Sequence, residues 1–265
     1  MSADLDLEAY LGRIGLAAPP RADLAGLRTL HLAHASSIPF ENLDVQMGLP
    51  IRLDLASLQD KLVRRRRGGY CFEQNSLFLA VLRQLGFEVI PCEARVRRGA
   101  TTLLPRTHML LLVRMEGLHW LCDVGFGGEG LLHPLPLDGQ AHTQFLNTFR
   151  VVEEAVGERL NVLQSWQQGA WEDLYAFRAE ERFPPDFEMA NHYTSTYPES
   201  RFVKTLTAQL SGPEVRRILR NRAYAEIRGD KIEGRELAPE EVIPLLREVF
   251  GIEVMEEARF RAFEG

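Results

Sequence analysis

The chain has 265 residues, 45% of them apolar and 26% charged, and a formal net charge of −6. That length allows one large domain or two to three small ones with real cores, and ordinary glycine and proline usage excludes collagen-like and low-complexity chains. The acidic balance disfavours a general nucleic-acid binder, which would present a basic face.

The first 86 residues read as helices. Leu5, Leu7, Tyr10, Leu11 and Ile14 recur near helical spacing, with Asp4 as a cap and Gly15 as a stop. Arg21–Ser36 repeats the pattern until Ile38-Pro39 ends it. A third helix is expected over Asp54–Val63 behind an Asp cap. A fourth is expected over Phe72–Leu85, with an apolar stripe of Leu77, Phe78, Val81, Leu82 and Leu85 closed by Gly86.

From Phe87 the period changes to two. Glu88-Val89-Ile90, Ala94-Arg95-Val96, His108–Val113, His119–Cys122, Thr148–Val152 and Asn161–Trp166 are short strand-like runs, expected to form an antiparallel barrel or sandwich. The last segment, Arg201–Gly265, has β-like stretches around Tyr224–Gly229. Pro239-Glu240-Glu241 then opens a helix with Val242, Leu245, Leu246 and Val249 on its apolar face. No linker is long enough to let these parts separate.

Three cysteines, Cys71, Cys92 and Cys122, without a C-x-x-C, exclude a disulfide framework or a four-cysteine zinc site and fit a reducing cytosol. Apolar runs such as Met109–Val113 are too short to span a bilayer, and the acidic start lacks the basic region of an export signal. A cytoplasmic protein with no membrane and no nucleic-acid partner is expected. His31 and His34 share a helix face but lack further nearby ligands, so no metal is expected.

The chemistry concentrates in RGGYCFEQN, Arg67–Asn75. Two glycines let the chain turn tightly ahead of Cys71, and a cysteine in the first turn of a helix feels the positive end of its dipole, which favours thiolate. Arg67 is expected to add charge of the same sign. A thiolate needs a base, and the base an orienting group. His108 opens an apolar strand in RTHMLLLV, and Asp123 follows another in HWLCDVGFGG, so adjacent antiparallel strands would bring the two together. Taken singly, Cys71 reads as a buried small apolar residue, His108 as a strand histidine and Asp123 as a turn former. As a set, the three read better as a Cys-His-Asp triad. The glycines of DVGFGG, Gly125, Gly127 and Gly128, would offer N–H groups to a pyrophosphate as a nest. The run Arg64–Arg67 reads as a solvated helix end rather than a phosphate or nucleic-acid patch, and Cys92 and Cys122 as packing residues.

RGGYCFEQN, RTHMLL and DVGFGG, together with HASSIPFENLD (His34–Asp44) and NHYTSTYPESRF (Asn191–Phe202), resemble the arylamine N-acetyltransferase family in order and spacing over most of the chain. The resemblance implies an α+β fold with an N-terminal helical bundle, a central antiparallel β-barrel and a C-terminal α/β lid, on a core like that of cysteine proteases and transglutaminases. Placed on this chain, these parts are residues 1–86 carrying the nucleophile, 87–200 carrying histidine and aspartate, and 201–265 as the lid. It further implies Cys71 as acyl acceptor, His108 as base and Asp123 as orienting carboxylate, with acetyl-CoA as co-substrate and arylamines or arylhydrazines as acceptors. Phe40 and Phe126 match positions lining the acceptor pocket, with Val96 as a further wall residue. Thr107 and Phe202 match positions near the donor, beside Gly125 and Gly127. Rival readings are an amide synthase of the same family closing a macrolactam, a thiol hydrolase or transglutaminase-like enzyme, and a catalytically silent CoA-binding protein. The intact Cys71, His108 and Asp123 argue against the last. Oligomeric state, the physiological amine and the preferred acyl donor stay open.

Overall fold

The computed structural model describes residues 4–154 and 159–263. Helix α1 (Leu7–Arg13) starts behind Asp6, whose side chain accepts from the Ala9 N–H at 3.0 Å, two residues later than the cap expected at Asp4. Asp4 instead offers its carbonyl to Gln59. Helix α2 (Leu24–Ser37) leads into the short strand β1 (Phe40–Glu41) and helix α3 (Leu43–Gln46). Helix α4 (Leu55–Leu58) runs on as a π-helical turn over Gln59–Arg64, and α5 (Cys71–Gln84) begins at the cysteine itself. Leu77, Phe78, Val81 and Leu82 of α5 are wholly buried in a core shared with α1, α2 and β3.

The chain then forms an eight-stranded antiparallel sheet from β2 (Glu88–Val96), β3 (His108–Met115), β4 (Leu118–Cys122), β5 (Leu135–Pro136), β6 (His142–Gln144), β7 (Asn147–Glu154), β8 (Leu160–Gln167) and β9 (Ala170–Phe177). Its order is β5-β4-β3-β2-β9-β8-β7-β6, and it curls into a nearly closed barrel. Gln144 at the β6 edge joins the segment ahead of β5, accepting from the N–H groups of Leu132 and His133 and donating to the His133 carbonyl. The two runs read on either side of Pro91 are one strand. Pro91 pairs with β3 only, and its carbonyl on the other side accepts from the Arg182 N–H, so no ladder bond needs the missing donor.

Strand β3 is the hinge of the architecture. Met109, Leu111 and Val113 on one face join the helical core, while Leu110 and Leu112 on the other fill the barrel. It therefore reads as a continuous apolar run, and it fixes His108 at the seam between two cores.

After the barrel, Pro184–Thr196 is a helix, α6, inside the segment read as β. Proline sits in its first turn, the Asp186 carboxylate accepts from the Phe183 N–H at 2.9 Å, and Phe187 and Ala190 return to the helical core. Helix α7 (Arg201–Lys204) precedes strands β10 (Thr207–Ser211), β11 (Arg216–Arg220), β12 (Ala223–Arg228) and β13 (Lys231–Glu236). These strands extend β1 into a second antiparallel sheet, β1-β10-β11-β12-β13. Helix α8 (Val242–Phe250) covers it, burying Leu245, Leu246 and Phe250 against Leu206, Ala208 and Leu219. The C-terminal part is thus an α/β lid hung on β1, and Phe40 of β1 bridges to Gly69 in the turn ahead of Cys71. Among the described residues no helix is long and apolar enough to cross a membrane.

Candidate active site

The turn into α5 is built from close contacts. A Cβ on Gly68 would stand 2.0 Å from the Pro39 carbonyl oxygen, so only glycine lets these two backbone segments meet. Glu73 accepts from the Tyr70 N–H at 3.1 Å and caps the helix. Gln74 donates to the Pro39 carbonyl at 2.9 Å and accepts from His34 Nε2 at 2.7 Å, while Tyr10 Oη sits 2.8 Å from His34 Nδ1. His34 is wholly buried, and burial lowers its pKa to about 3. The neutral ring donates at Nε2 and accepts at Nδ1.

Arg67 does not act on the thiol as expected. Its guanidinium donates to Glu41 at 2.7 Å and to Asp44 at 3.0 Å, within a buried cluster that also joins Lys61 to Asp44 and Glu73. Burial raises Glu73 to about 7 against the pull of Lys61, while Asp44, despite its own burial, is held low by Lys61 and Arg67. Glu41 also accepts from the Leu43 N–H, and Asn42 bonds the carbonyls of Phe202 and Thr205. The cluster pins the loops ahead of α5 to one another and to the lid. Of the run read as a solvated helix end, Arg64–Arg66 are exposed, whereas Arg67 is buried in this cluster.

Cys71 is the first residue of α5, and its sulfur lies 3.7 Å from the Thr107 carbonyl, just ahead of His108. His108 Nε2 donates to Asp123 Oδ2 at 2.6 Å, and Cys71 is among the groups that raise the pKa of the same imidazole. With Nε2 taken by the carboxylate, Nδ1 is the nitrogen left for sulfur. The Asp123 carboxylate has four donors: His108 and Tyr175 Oη (2.9 Å) on Oδ2, Asn75 Nδ2 (3.0 Å) and the Gly125 N–H (3.0 Å) on Oδ1. Burial alone would raise Asp123, but the His108 charge and these hydrogen bonds hold it below the usual carboxylate range. Burial likewise pushes His108 down, yet the Asp123 charge, their hydrogen bond and Cys71 lift it to about 10. The histidine is therefore held as an imidazolium beside the sulfur at neutral pH.

These groups open on a cavity of about 550 Å³. Cys71 and His108 reach its surface, and Asp123 stands behind them. Phe40, Phe126 and Val96 line the cavity, as do Thr107, Gly125, Gly127 and Phe202. Phe126 meets the His108 ring edge-on with centroids 5.1 Å apart, and Phe40 lies against Phe202 at 6.0 Å. The glycines differ from the nest read in the sequence. The Gly125 N–H is taken by Asp123 and the Gly128 N–H by Gln209, so neither is open to a pyrophosphate. Gly125 is instead a close-approach residue, because a Cβ there would stand 2.8 Å from Cys71 Cα.

Sequence reasoning passed over Asn75, Tyr175 and Gln74. Asn75 was findable: four residues beyond Cys71, it lies on the same helix face, where it bonds Asp123 and the Met109 carbonyl. Tyr175 carries no local signal, since its strand was not recognised. His31 and His34 serve separate partners. His31 Nε2 accepts from the Asp123 N–H at 3.2 Å, and burial lowers its pKa to about 4.

Comparison with known proteins places this geometry in context. A family model described as N-acetyltransferase matches residues 23–259. An arylamine N-acetyltransferase of Mycolicibacterium smegmatis is 40% identical over 228 residues, 83% of this chain and 82% of that relative. A solved structure of the M. smegmatis arylamine N-acetyltransferase superposes with a TM-score of 0.92 at 37% identity, covering 98% of each chain. The structure of the Mycobacterium marinum enzyme in complex with CoA gives a TM-score of 0.87 at 37% identity, covering 93% of each chain.

Proposed function

The chain belongs to the arylamine N-acetyltransferase family, and on that premise we propose that it moves an acetyl group from acetyl-CoA to the nitrogen of an arylamine or arylhydrazine through an acetyl-cysteine intermediate. The observation that carries this reading is the line Cys71–His108–Asp123 ending at the floor of one cavity.

In the first half-reaction the Cys71 thiol proton resides on His108 and the sulfur attacks the thioester carbonyl carbon. The carbon–sulfur bond to CoA breaks, and the departing thiolate takes the proton from the imidazolium. Asp123 keeps the ring oriented and stabilises its charge throughout. The positive end of α5 faces the same sulfur. In the second half-reaction an amine attacks the acetyl-cysteine carbonyl and gives its proton to His108; the carbon–sulfur bond to Cys71 breaks as the amide leaves, which restores the sulfur with its proton on His108.

Arylamines and hydrazines suit this step because they are largely unprotonated at neutral pH, whereas an aliphatic amine is mostly ammonium. Phe40, Phe126 and Val96 form the apolar slot for a flat acceptor. Thr107, Gly127 and Phe202 lie on the donor's path. Excluding water from the thioester falls to the same walls.

Incubation with acetyl-CoA in the absence of amine tests the reading. Intact mass should rise by one acetyl group with matching CoA release, only when Cys71 is present, and an arylamine should discharge it. Absence of both the mass shift and a CoA burst in the wild-type protein would overturn it.

A further inference from the structure

The chain is acidic overall, yet part of the Cys71 cavity wall is strongly cationic. Arg98 from the β2–β3 connection, Arg201 at the start of α7 and Arg220 at the end of β11 all line it. Their charges are poorly matched. Arg98 donates to Glu129 at 2.8 Å, but Glu129 also stands 3.4 Å from Arg216, so one buried carboxylate serves two guanidiniums. Among the described residues no carboxylate pairs with Arg201 or Arg220. Glu199, an acid on this wall, is paired with Lys204.

Arg201 lies over the Phe202 ring at 5.7 Å, held by an aromatic face rather than a counter-charge. Its side chain is open to solvent, yet packing around it and then the charges of Arg220 and Arg98 lower its pKa. Converging like charges disfavours the fold, and among the described residues no ion pair offsets it at Arg201 or Arg220. A ligand bearing several negative charges would reverse that cost, and planar guanidiniums match phosphate oxygens two at a time. Of the three glycine N–H groups that might have served a pyrophosphate, those of Gly125 and Gly128 are already engaged by Asp123 and Gln209.

Resting on the acyl-CoA reading above, we propose that Arg98, Arg201 and Arg220 hold the phosphate groups of the thioester donor and so seat its acyl end over Cys71. The lid then contributes directly to donor recognition, because Arg201 and Arg220 both belong to it.

The test compares two acetyl donors, acetyl-CoA and S-acetylpantetheine, which has the same thioester arm without phosphates. The double variant Arg201→Gln/Arg220→Gln should lose at least about tenfold in kcat/KM for acetyl-CoA, chiefly through KM, as expected for lost charge-assisted hydrogen bonds. Its kcat/KM for S-acetylpantetheine should stay within about threefold of wild type. Equal losses on both donors, or no loss on acetyl-CoA, would overturn the proposal. Calorimetry with CoA itself gives an independent reading: wild-type affinity should fall steeply with added salt, and the double variant should bind weakly with a flatter salt dependence. If neither donor acetylates wild-type Cys71, the acyl-transfer reading fails on its own. The calorimetric comparison still decides the arginines, since salt-insensitive or variant-independent CoA binding counts against them.

Discussion

Tyr175 Oη donates to Asp123 Oδ2 at 2.9 Å, sharing with His108 the carboxylate oxygen that orients the imidazole. The tyrosine ring also packs on the His108 ring, with centroids 4.9 Å apart, so it supports the histidine by contact and the aspartate by hydrogen bond. Tyr175→Phe keeps the ring and removes only the hydroxyl. We expect stability to fall by about 1–3 kcal/mol, the range for a hydrogen bond to a buried charge. Cys71 acetylation should slow by roughly threefold to tenfold, since three donors to Asp123 remain. Urea unfolding and single-turnover acetylation measure the two effects. A loss as large as that of Asp123→Asn would show that Tyr175 acts as more than a support.

Asp123→Asn removes the charge that lifts His108. With burial then dominant, the imidazole drops below its ordinary 6.5 and the proton beside Cys71 is no longer held. Acetylation should fall by about three orders of magnitude or more, by the logic of a lost tautomer and a lost ion pair. In the wild-type protein the alkaline limb of the acetylation rate should lie near 10, where His108 gives up its proton. In the variant that limb should move down by several pH units. A residual rate with an unmoved alkaline limb would show that Asp123 does not set the protonation of His108.

Gly125 is held against the backbone of Cys71. A Cβ there meets Asn75 Nδ2 and Cys71 Cα, both at 2.8 Å, so Gly125→Ala must push α5 away from the loop that bears Asp123. Overpacking of this kind costs about 1–3 kcal/mol. The larger effect should fall on chemistry, with acetylation reduced by roughly 100-fold, because an ångström of misplacement at the sulfur is enough. Near-normal acetylation in a folded Gly125→Ala protein would mean that the loop yields without moving Cys71.

The grouping of Cys71, His108 and Asp123 was legible because each stands where an element begins or ends: Cys71 after paired glycines, His108 at the start of an apolar run, Asp123 at the end of another. Those boundaries are marked by local pattern, and β3 carries the clearest run because it is buried on both faces. Helix α6 escaped because only Phe187, Ala190, Asn191 and Thr194 of its thirteen residues are buried, too few to set a period. Tyr175 was hidden in β9, where Glu172 and Asp173 interrupt the apolar pattern and the neighbouring strand is irregular at Leu163/Gln164. The ion cluster of Arg67, Glu41, Asp44, Lys61 and Glu73 joins loops that only tertiary folding brings together, so nothing local to those charges hinted at their burial.

His34 makes the fold sensitive to acid. Its folded pKa of about 3 lies below the ordinary 6.5, so the unfolded chain takes up a proton that the folded one refuses. The stabilisation is complete above pH 6.5 and is lost as the pH falls toward 3. Glu73 has the opposite sign: raised to about 7, it contributes stability below its ordinary range that is lost as pH climbs toward 7. The slope of the wild-type protein alone therefore mixes these with the shifted titrations of His31 and His108, and a difference measurement separates them. His34→Gln removes one titration and leaves the others. From pH 7 to pH 5 the stability advantage of wild type over His34→Gln should shrink by about 2 kcal/mol, the linkage expected of one buried neutral imidazole over that interval. Urea unfolding of both proteins at the two pH values measures it. A gap that does not change with pH would mean that the folded His34 is not held neutral between Tyr10 and Gln74.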